Sequence, residues 1–257
     1  MGHVHIYWDF HAPDEYKAHP LRVYTPDGYD DDPGRRYPVL YMHDGQNIFA
    51  HEASARYDTW RANQVMDQLS WEGRIEAWII VGIDHSDDRF GEYSPWDEPR
   101  LGLAGRGRGY TDFVVHHVKP FIDRIYRTRG DPMWTGVMGA SLGGLISLYM
   151  GYEHPGVFGR IGAVSPSVMW SEGTLFRHWR SHTRHWTRIQ VDAGDPEFVQ
   201  WEHLPLDYTG ATRAFHQQLM DLGYAPWEAR LWLEHGANHH EQDWARRLPE
   251  TLAWLLG

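Results

Sequence analysis

The chain has 257 residues, no cysteine, and 24 Lys and Arg against 35 Asp and Glu, a formal net charge of −11. This excludes a disulfide frame, a thiolate metal site and a cysteine nucleophile, and the acidic balance disfavours nucleic acid and anionic membrane as partners. An aromatic content of 14%, with 14 Trp and 14 Tyr, argues against disorder and predicts rings that line a cleft as well as fill a core.

The length suits a single α/β domain over residues 1–257. No basic start followed by an apolar run opens the chain, and no stretch reaches about 18 apolar residues, so the expectation is a cytoplasmic protein that does not enter a membrane.

In chain order, residues 4–10 and 21–25 are predicted as strands joined by a Pro/Asp turn, an antiparallel pair at a sheet edge. His3 and His5 fall on one face of the first, the solvent face of an edge strand being preferred to a metal site. Residues 38–42 (PVLYM) and 77–83 (AWIIVGI) are apolar runs without alternation, the pattern of strands buried on both faces, with a helix over 59–69 between them. Residues 85–109 form a polar loop rich in Gly, Pro and Arg, long enough to imply a functional or mobile segment. A helix over 110–126 carries Phe113, His117, Phe121 and Ile125 near one face. Further strands are expected at 134–138, 160–164, 186–192 and 227–234, and helices after Ser141, around Phe176 and Trp179, and over 209–222 and 241–256. Alternating strands and helices predict a mostly parallel sheet of about eight strands covered on both faces, with the active site at the carboxyl ends of the strands.

The segment MWTGVMGASLGGLISLYM, residues 133–150, is the centre of this pattern. Gly139, Ala140, Ser141, Leu142 and Gly143 match G-x-S-x-G between a strand and a helix, the nucleophile elbow of α/β-hydrolases. The turn is so tight that a Cβ at either glycine is expected to strike a neighbouring element, and Ser141 is left at its apex with a strained backbone.

A serine hydroxyl is a poor nucleophile at neutral pH, so it needs a base, and the base needs an acid to hold its tautomer. The order serine, acid, histidine is satisfied by Asp195 or Glu197 after the 186–192 strand and by the histidines after the 227–234 strand. His235 lies too close to its strand to swing over the elbow, and His240 begins the last helix; His239, mid-loop, is preferred. Between Asp195 and Glu197 the residues alone leave the choice open. The oxyanion of acyl transfer needs backbone N–H donors, for which Leu142 and Gln46 are the candidates, with Gly45 allowing close approach. His43 and Asp44 are expected to hold that loop by hydrogen bonds. No catalytic metal is expected, because His235 and His239 lack the glutamate of H-E-x-x-H and lie on a loop.

Five segments in order carry a resemblance: YPVLYMHDGQNIF (37–49), VGID followed by RFGEYSP (81–95), MGASLGGLISLY, VFGRIGAVSPS (157–167) and H-x-E-x-x-W (239–244). Together they resemble the family described as "putative esterase". It is the esterase D-like branch of the α/β-hydrolases, with siderophore, feruloyl and acetylxylan esterases, S-formylglutathione hydrolase and mycolyltransferases among its members. The resemblance implies an α/β-hydrolase fold with little or no separate lid, and a serine esterase working on a small-molecule ester through an acyl-enzyme without a cofactor. It implies Ser141 as nucleophile, Glu197 rather than Asp195 as acid (three residues past Gly194), His239 as base, and Gln46 as the second oxyanion donor. Its H-N-E pattern departs here, with His240 where asparagine is usual. Arg89, Glu92 and Tyr93 match a recurring loop expected to shape the cleft. Trp170, Trp201 and Trp244 suit either a pocket wall or the core, and Arg89, Arg106 and Arg108 give weak support for an anionic substrate. The same residues are compatible with an acyltransferase, or with a non-catalytic ligand- or carbohydrate-binding member of the fold.

Overall fold

A computed structural model describes residues 2–11, 18–55, 59–181 and 184–257. The turn expected between the first two strands falls on residues 12–17, outside the described residues. The elements run β1 (His3–Tyr7), β2 (Leu21–Thr25), β3 (Val39–His43), α1 (Ala62–Trp71), β4 (Ile79–Ile83), a one-turn α2 (Arg89–Glu92) and α3 (Gly107–Phe113). A π turn at Val114–Val118 joins α3 to α4 (Lys119–Ile125); β5 (Thr135–Ala140), α5 (Leu142–Glu153), β6 (Arg160–Val164) and α6 (Trp170–Arg180) follow. The chain closes with β7 (Arg188–Asp195), β8 (Phe198–Trp201), β9 (Leu204–Asp207), α7 (Tyr208–Asp221), β10 (Ala229–His235) and α8 (Glu241–Leu256).

An eight-stranded sheet has the order β1-β2-β4-β3-β5-β6-β7-β10. β1 and β2 pair antiparallel at one edge, β2 pairs antiparallel with β4, and every later pairing is parallel. The apolar runs read in the sequence become strands buried along their whole length in β3, β4 and β5, because successive side chains enter opposite layers. Val39 and Tyr41 belong to the buried layer that also holds α3, α5 and α7 on one face, while Leu40 and Met42 belong to the layer that holds α1 and α8 on the other. α5 is buried almost all round, which explains why its sequence shows no polar face. This is the α/β-hydrolase architecture. His3 and His5 are exposed on β1. Among the described residues no helix is long and apolar enough to cross a membrane.

The structure departs from the sequence reading in four places. β7 continues to Asp195, because its parallel pairing with β10 runs on to His235↔Asp195. Residues 198–207, unassigned from sequence, form an antiparallel hairpin in which Trp201 pairs with Leu204 across Glu202 and His203. The π turn re-phases the helix around residue 114, so Val114, Val118 and Ile122 are buried while Ile125 is 50% exposed. The long loop after β4 is largely folded: Tyr93, Ser94 and Glu98 are buried, and Glu98 accepts from the Ser171 N–H at 2.8 Å and pairs with Arg100.

Candidate active site

The parallel strands deliver their carboxyl ends to one rim, where the elements after β3, β5, β6, β7 and β10 meet. Ser141 bridges β5 and α5 with φ 58° and ψ −121°, a conformation L-residues rarely adopt. Its N–H donates to the Val164 carbonyl at 2.9 Å, tying the bend to β6. A Cβ at Gly139 would meet the Gly143 backbone at 2.7 Å, so glycine is required there. At Gly143 the expectation is corrected: a Cβ would sit 3.4 Å from His43 Cβ and Asp44 Oδ2, an ordinary contact rather than a collision. The same contact puts the loop after β3 directly beside the start of α5.

His239 reaches Ser141 from the loop between β10 and α8, with Nε2 3.0 Å from Oγ. Its Nδ1 lies 2.6 Å from Glu197 Oε1. Glu197 follows β7, and the strand end approaches the histidine loop so closely that a Cβ on Gly194 would fall 2.0 Å from the Ala237 carbonyl oxygen. Gly194→Ala is therefore expected to destabilise the protein by at least about 2 kcal/mol and to weaken the Glu197–His239 contact. Chemical denaturation together with ester turnover checks both.

Asp195 turns the other way, pairing with Arg213 at 2.8 Å on the surface. His240 caps α8, its Nδ1 accepting from the Gln242 N–H at 3.2 Å. The exposed His235 closes β10.

Glu197 is fully enclosed, its side chain 0% exposed. Burial, the largest influence, pushes its carboxyl up, but hydrogen bonds from His239, the Gly194 amide and the Ser165 hydroxyl outweigh it and hold the group below the ordinary carboxylate range. It stays ionised and accepts from Nδ1–H, which leaves Nε2 bare toward Ser141. Ser165 Oγ in turn accepts from Trp244 Nε1 at 3.1 Å and from Arg247 at 2.8 Å, so its own proton must point at Glu197 Oε2, 2.9 Å away. Arg247 is anchored on Asp192 at 2.9 Å, both side chains fully buried. The imidazole itself lies between two rings, Tyr208 at 4.0 Å and the edge-on Trp244 at 4.8 Å.

Leu142 is the first residue of α5, so its N–H has no partner inside the helix. Gln46 lies in a short 3₁₀ turn, Gly45–Asn47, whose internal bond to the Asp44 carbonyl comes from Asn47, leaving the Gln46 amide outside that pattern. Asp44, at φ 58°, is clamped by Arg89 at 2.6 and 2.8 Å and donates its N–H to Tyr93 Oη at 3.0 Å. His43 contacts the Tyr110 hydroxyl at 2.9 Å, and burial, its largest influence, pushes the imidazole down to about 3, so it is neutral and serves the loop. Glu92 lies 3.5 Å from His19. His43 and Asp44, expected to hold this loop by hydrogen bonds, make such bonds to Tyr110, Tyr93 and Arg89.

Over Ser141 opens a cleft of about 270 Å³, lined by Arg89, Phe90, Trp170, Trp201, Tyr208 and His239 among others. Phe90 and Trp201 touch at 5.2 Å between ring centroids. Trp170 and Trp201 thus line the cleft, whereas Trp244 lies behind His239 and against Trp60. Of the three arginines considered for an anionic substrate, Arg89 lines the cleft, and Arg106 pairs with Asp88. Sequence reading missed Ser165, Ser167, Tyr208, Phe90 and Arg247. The serines stand in the quoted VFGRIGAVSPS segment, the one signal that pointed near them.

A doubly covered, mostly parallel sheet with a strained serine at a strand-to-helix bend defines an α/β-hydrolase, and the comparisons narrow the class. Residues 17–255 match the family model described as "Putative esterase", and the chain belongs to that family. It is 26% identical over 250 residues to the uncharacterized protein YbbA of Bacillus subtilis (strain 168), covering 95% of each chain. In structure it is similar to a ferulic acid esterase, with a TM-score of 0.75, 19% identity, and coverage of 100% of this chain and 98% of that one. The enterobactin esterase FES from Shigella flexneri superposes with a TM-score of 0.76 at 18% identity, over 99% of this chain and 58% of that one.

Proposed function

We propose that this protein is a serine esterase that cleaves a small-molecule carboxylic ester through an acyl-enzyme on Ser141. The observation that carries the reading is the unbroken chain from Ser141 Oγ through His239 to Glu197, at 3.0 and 2.6 Å. With Nδ1–H donated to Glu197, His239 takes the Ser141 proton on Nε2 as the oxygen attacks the ester carbonyl. Glu197 fixes the tautomer and stabilises the imidazolium that forms. The carbonyl oxygen becomes an oxyanion that accepts hydrogen bonds from the Leu142 and Gln46 amides. His239 then hands its proton to the departing alcohol, and water, activated by the same imidazole, releases the acid.

Phe90, Trp170 and Trp201 make the cleft wall aromatic, which favours an apolar or aryl portion of the ester over a charged one. The family membership supports ester hydrolysis as the reaction class.

Rapid mixing with p-nitrophenyl acetate tests the acyl-enzyme. A burst of about one p-nitrophenol per protein molecule is expected wherever deacylation is the slower step. When deacylation is the faster step, methanol partitioning yields a constant ratio of methyl acetate to acetate across aryl acetates. A ratio that varies with the phenol contradicts a shared acyl intermediate.

A further inference from the structure

Two hydroxyls in the cleft wall have no part in the chemistry above. Ser167 Oγ lies 3.3 Å from Ser141 Oγ, and Tyr208 Oη lies 3.2 Å from Ser167 Oγ. Both residues line the cleft, yet they are only 1% and 3% exposed. Ser167 is held in place by its N–H, which donates to the Ser141 carbonyl at 3.0 Å, and Tyr208 by its N–H to the Glu197 carbonyl, also at 3.0 Å.

The direction of this chain follows from what each atom has left to give. His239 Nδ1–H is committed to Glu197, so Nε2 accepts from Ser141. Ser141 has then spent its only proton, and its oxygen accepts from Ser167, which in turn accepts from Tyr208. Burial pushes the Tyr208 phenol up, against the pull of its hydrogen bonding to Ser167 and Ser141, so it heads the chain as a standing donor. Sheet order sets the side. Gln46 follows β3 on one flank of β5, whereas Ser167 follows β6 and Tyr208 lies beyond β7 on the other flank, the flank of His239. With the carbonyl oxygen drawn toward β3, the alcohol oxygen of the ester must lie on the β6 flank, where His239 returns its proton.

We propose that Ser167 and Tyr208 form a hydroxyl dock for the alcohol oxygen of the substrate. This rests on the serine esterase reading and adds Ser167, which touches the reacting atoms, and Tyr208, which positions it. As the bond from Ser141 Oγ to the acyl carbon forms, the Ser141 proton passes to His239 Nε2. The bond from the acyl carbon to the alcohol oxygen then breaks, and that proton moves on to the alcohol. Ser167 and Tyr208 donate hydrogen bonds throughout and keep their own protons. Once Ser141 carries the acyl group its oxygen is a weaker acceptor, and the Ser167 proton swings to the departing oxygen. In deacylation the attacking water occupies the same place. Such donors matter most when the leaving oxygen gathers most charge, which is the case for a poor leaving group.

The test is a series of aryl acetates graded from p-nitrophenyl to p-methoxyphenyl, with kcat/KM measured for the parent protein, Tyr208→Phe and Ser167→Ala. Each is normalised to the sites titrated by a fluorophosphonate, so that misfolded protein does not count. Tyr208→Phe keeps the ring against His239 and removes one oxygen. Activity is expected to fall along the whole series, and about tenfold further at the p-methoxyphenyl end than at the p-nitrophenyl end. Ser167→Ala is expected to show the same steepening and decides the matter if the tyrosine variant does not fold. Lines parallel to the parent within about twofold would overturn the dock while leaving the esterase reading intact. A parent protein that neither turns over esters nor takes the label would remove both.

Discussion

Ser141→Ala is expected to lower kcat/KM toward p-nitrophenyl acetate by about 10⁴- to 10⁶-fold, with the far-UV circular dichroism and the thermal midpoint essentially unchanged. The side chain contributes little to the fold: its Oγ takes part in hydrogen bonds within the cleft, at 3.0 Å to His239 and 3.3 Å to Ser167. The strain at φ 58° belongs to the backbone and is set by β5, α5 and the bond from the Ser141 N–H to Val164, so alanine inherits it. Loss of structure in step with loss of activity would mean that the serine holds the bend rather than performs the chemistry.

Glu197→Gln is expected to cost about 10³- to 10⁴-fold in kcat, while Asp195→Asn stays within about twofold of the parent. The carboxylate accepts from His239 Nδ1–H, the Gly194 amide and Ser165. A carboxamide has one acceptor oxygen and an NH₂ that cannot accept, so it either turns its NH₂ toward Nδ1, forcing the wrong tautomer, or leaves the Gly194 and Ser165 donors facing a donor. Asp195, two residues earlier, meets Arg213 at the surface, where a lost ion pair has little effect. Steady-state kinetics of the two variants side by side give the comparison, and equal losses would contradict the assignment of the acid.

How much of this was legible in the sequence follows from how local each determinant is. β3 to β6 could be read from uninterrupted apolar runs, because burial on both faces leaves no room for alternation. The elbow was legible because a bend that brings Gly139 against Gly143 admits few residue types. The acid was not settled by its own neighbourhood. Whether Asp195 or Glu197 faces His239 depends on the pairing of β7 with β10 and on the approach of Gly194 to Ala237, two contacts made across more than 30 residues of chain. Only the family spacing tipped the choice toward Glu197.

The β8–β9 hairpin was missed for a chemical reason. A two-residue turn ordinarily announces itself with Asn-Gly or Asp-Gly, and here Glu202 and His203 occupy it, with Glu202 at φ 50°. Missing the hairpin also hid Tyr208, which begins the next helix. Ser165 and Ser167 are marked only by the VFGRIGAVSPS segment that contains them, which does not say what either side chain touches. A serine accepting from Arg247 and Trp244 looks, in sequence, like any other serine.

Covalent labelling with a fluorophosphonate, read by intact-mass spectrometry and mapped by peptide sequencing, tests the central claim most directly. One phosphonyl adduct per chain on Ser141, absent from Ser141→Ala and greatly slowed in His239→Ala, is the expected result. A protein that stays unmodified, or that carries the adduct on another side chain, contradicts it.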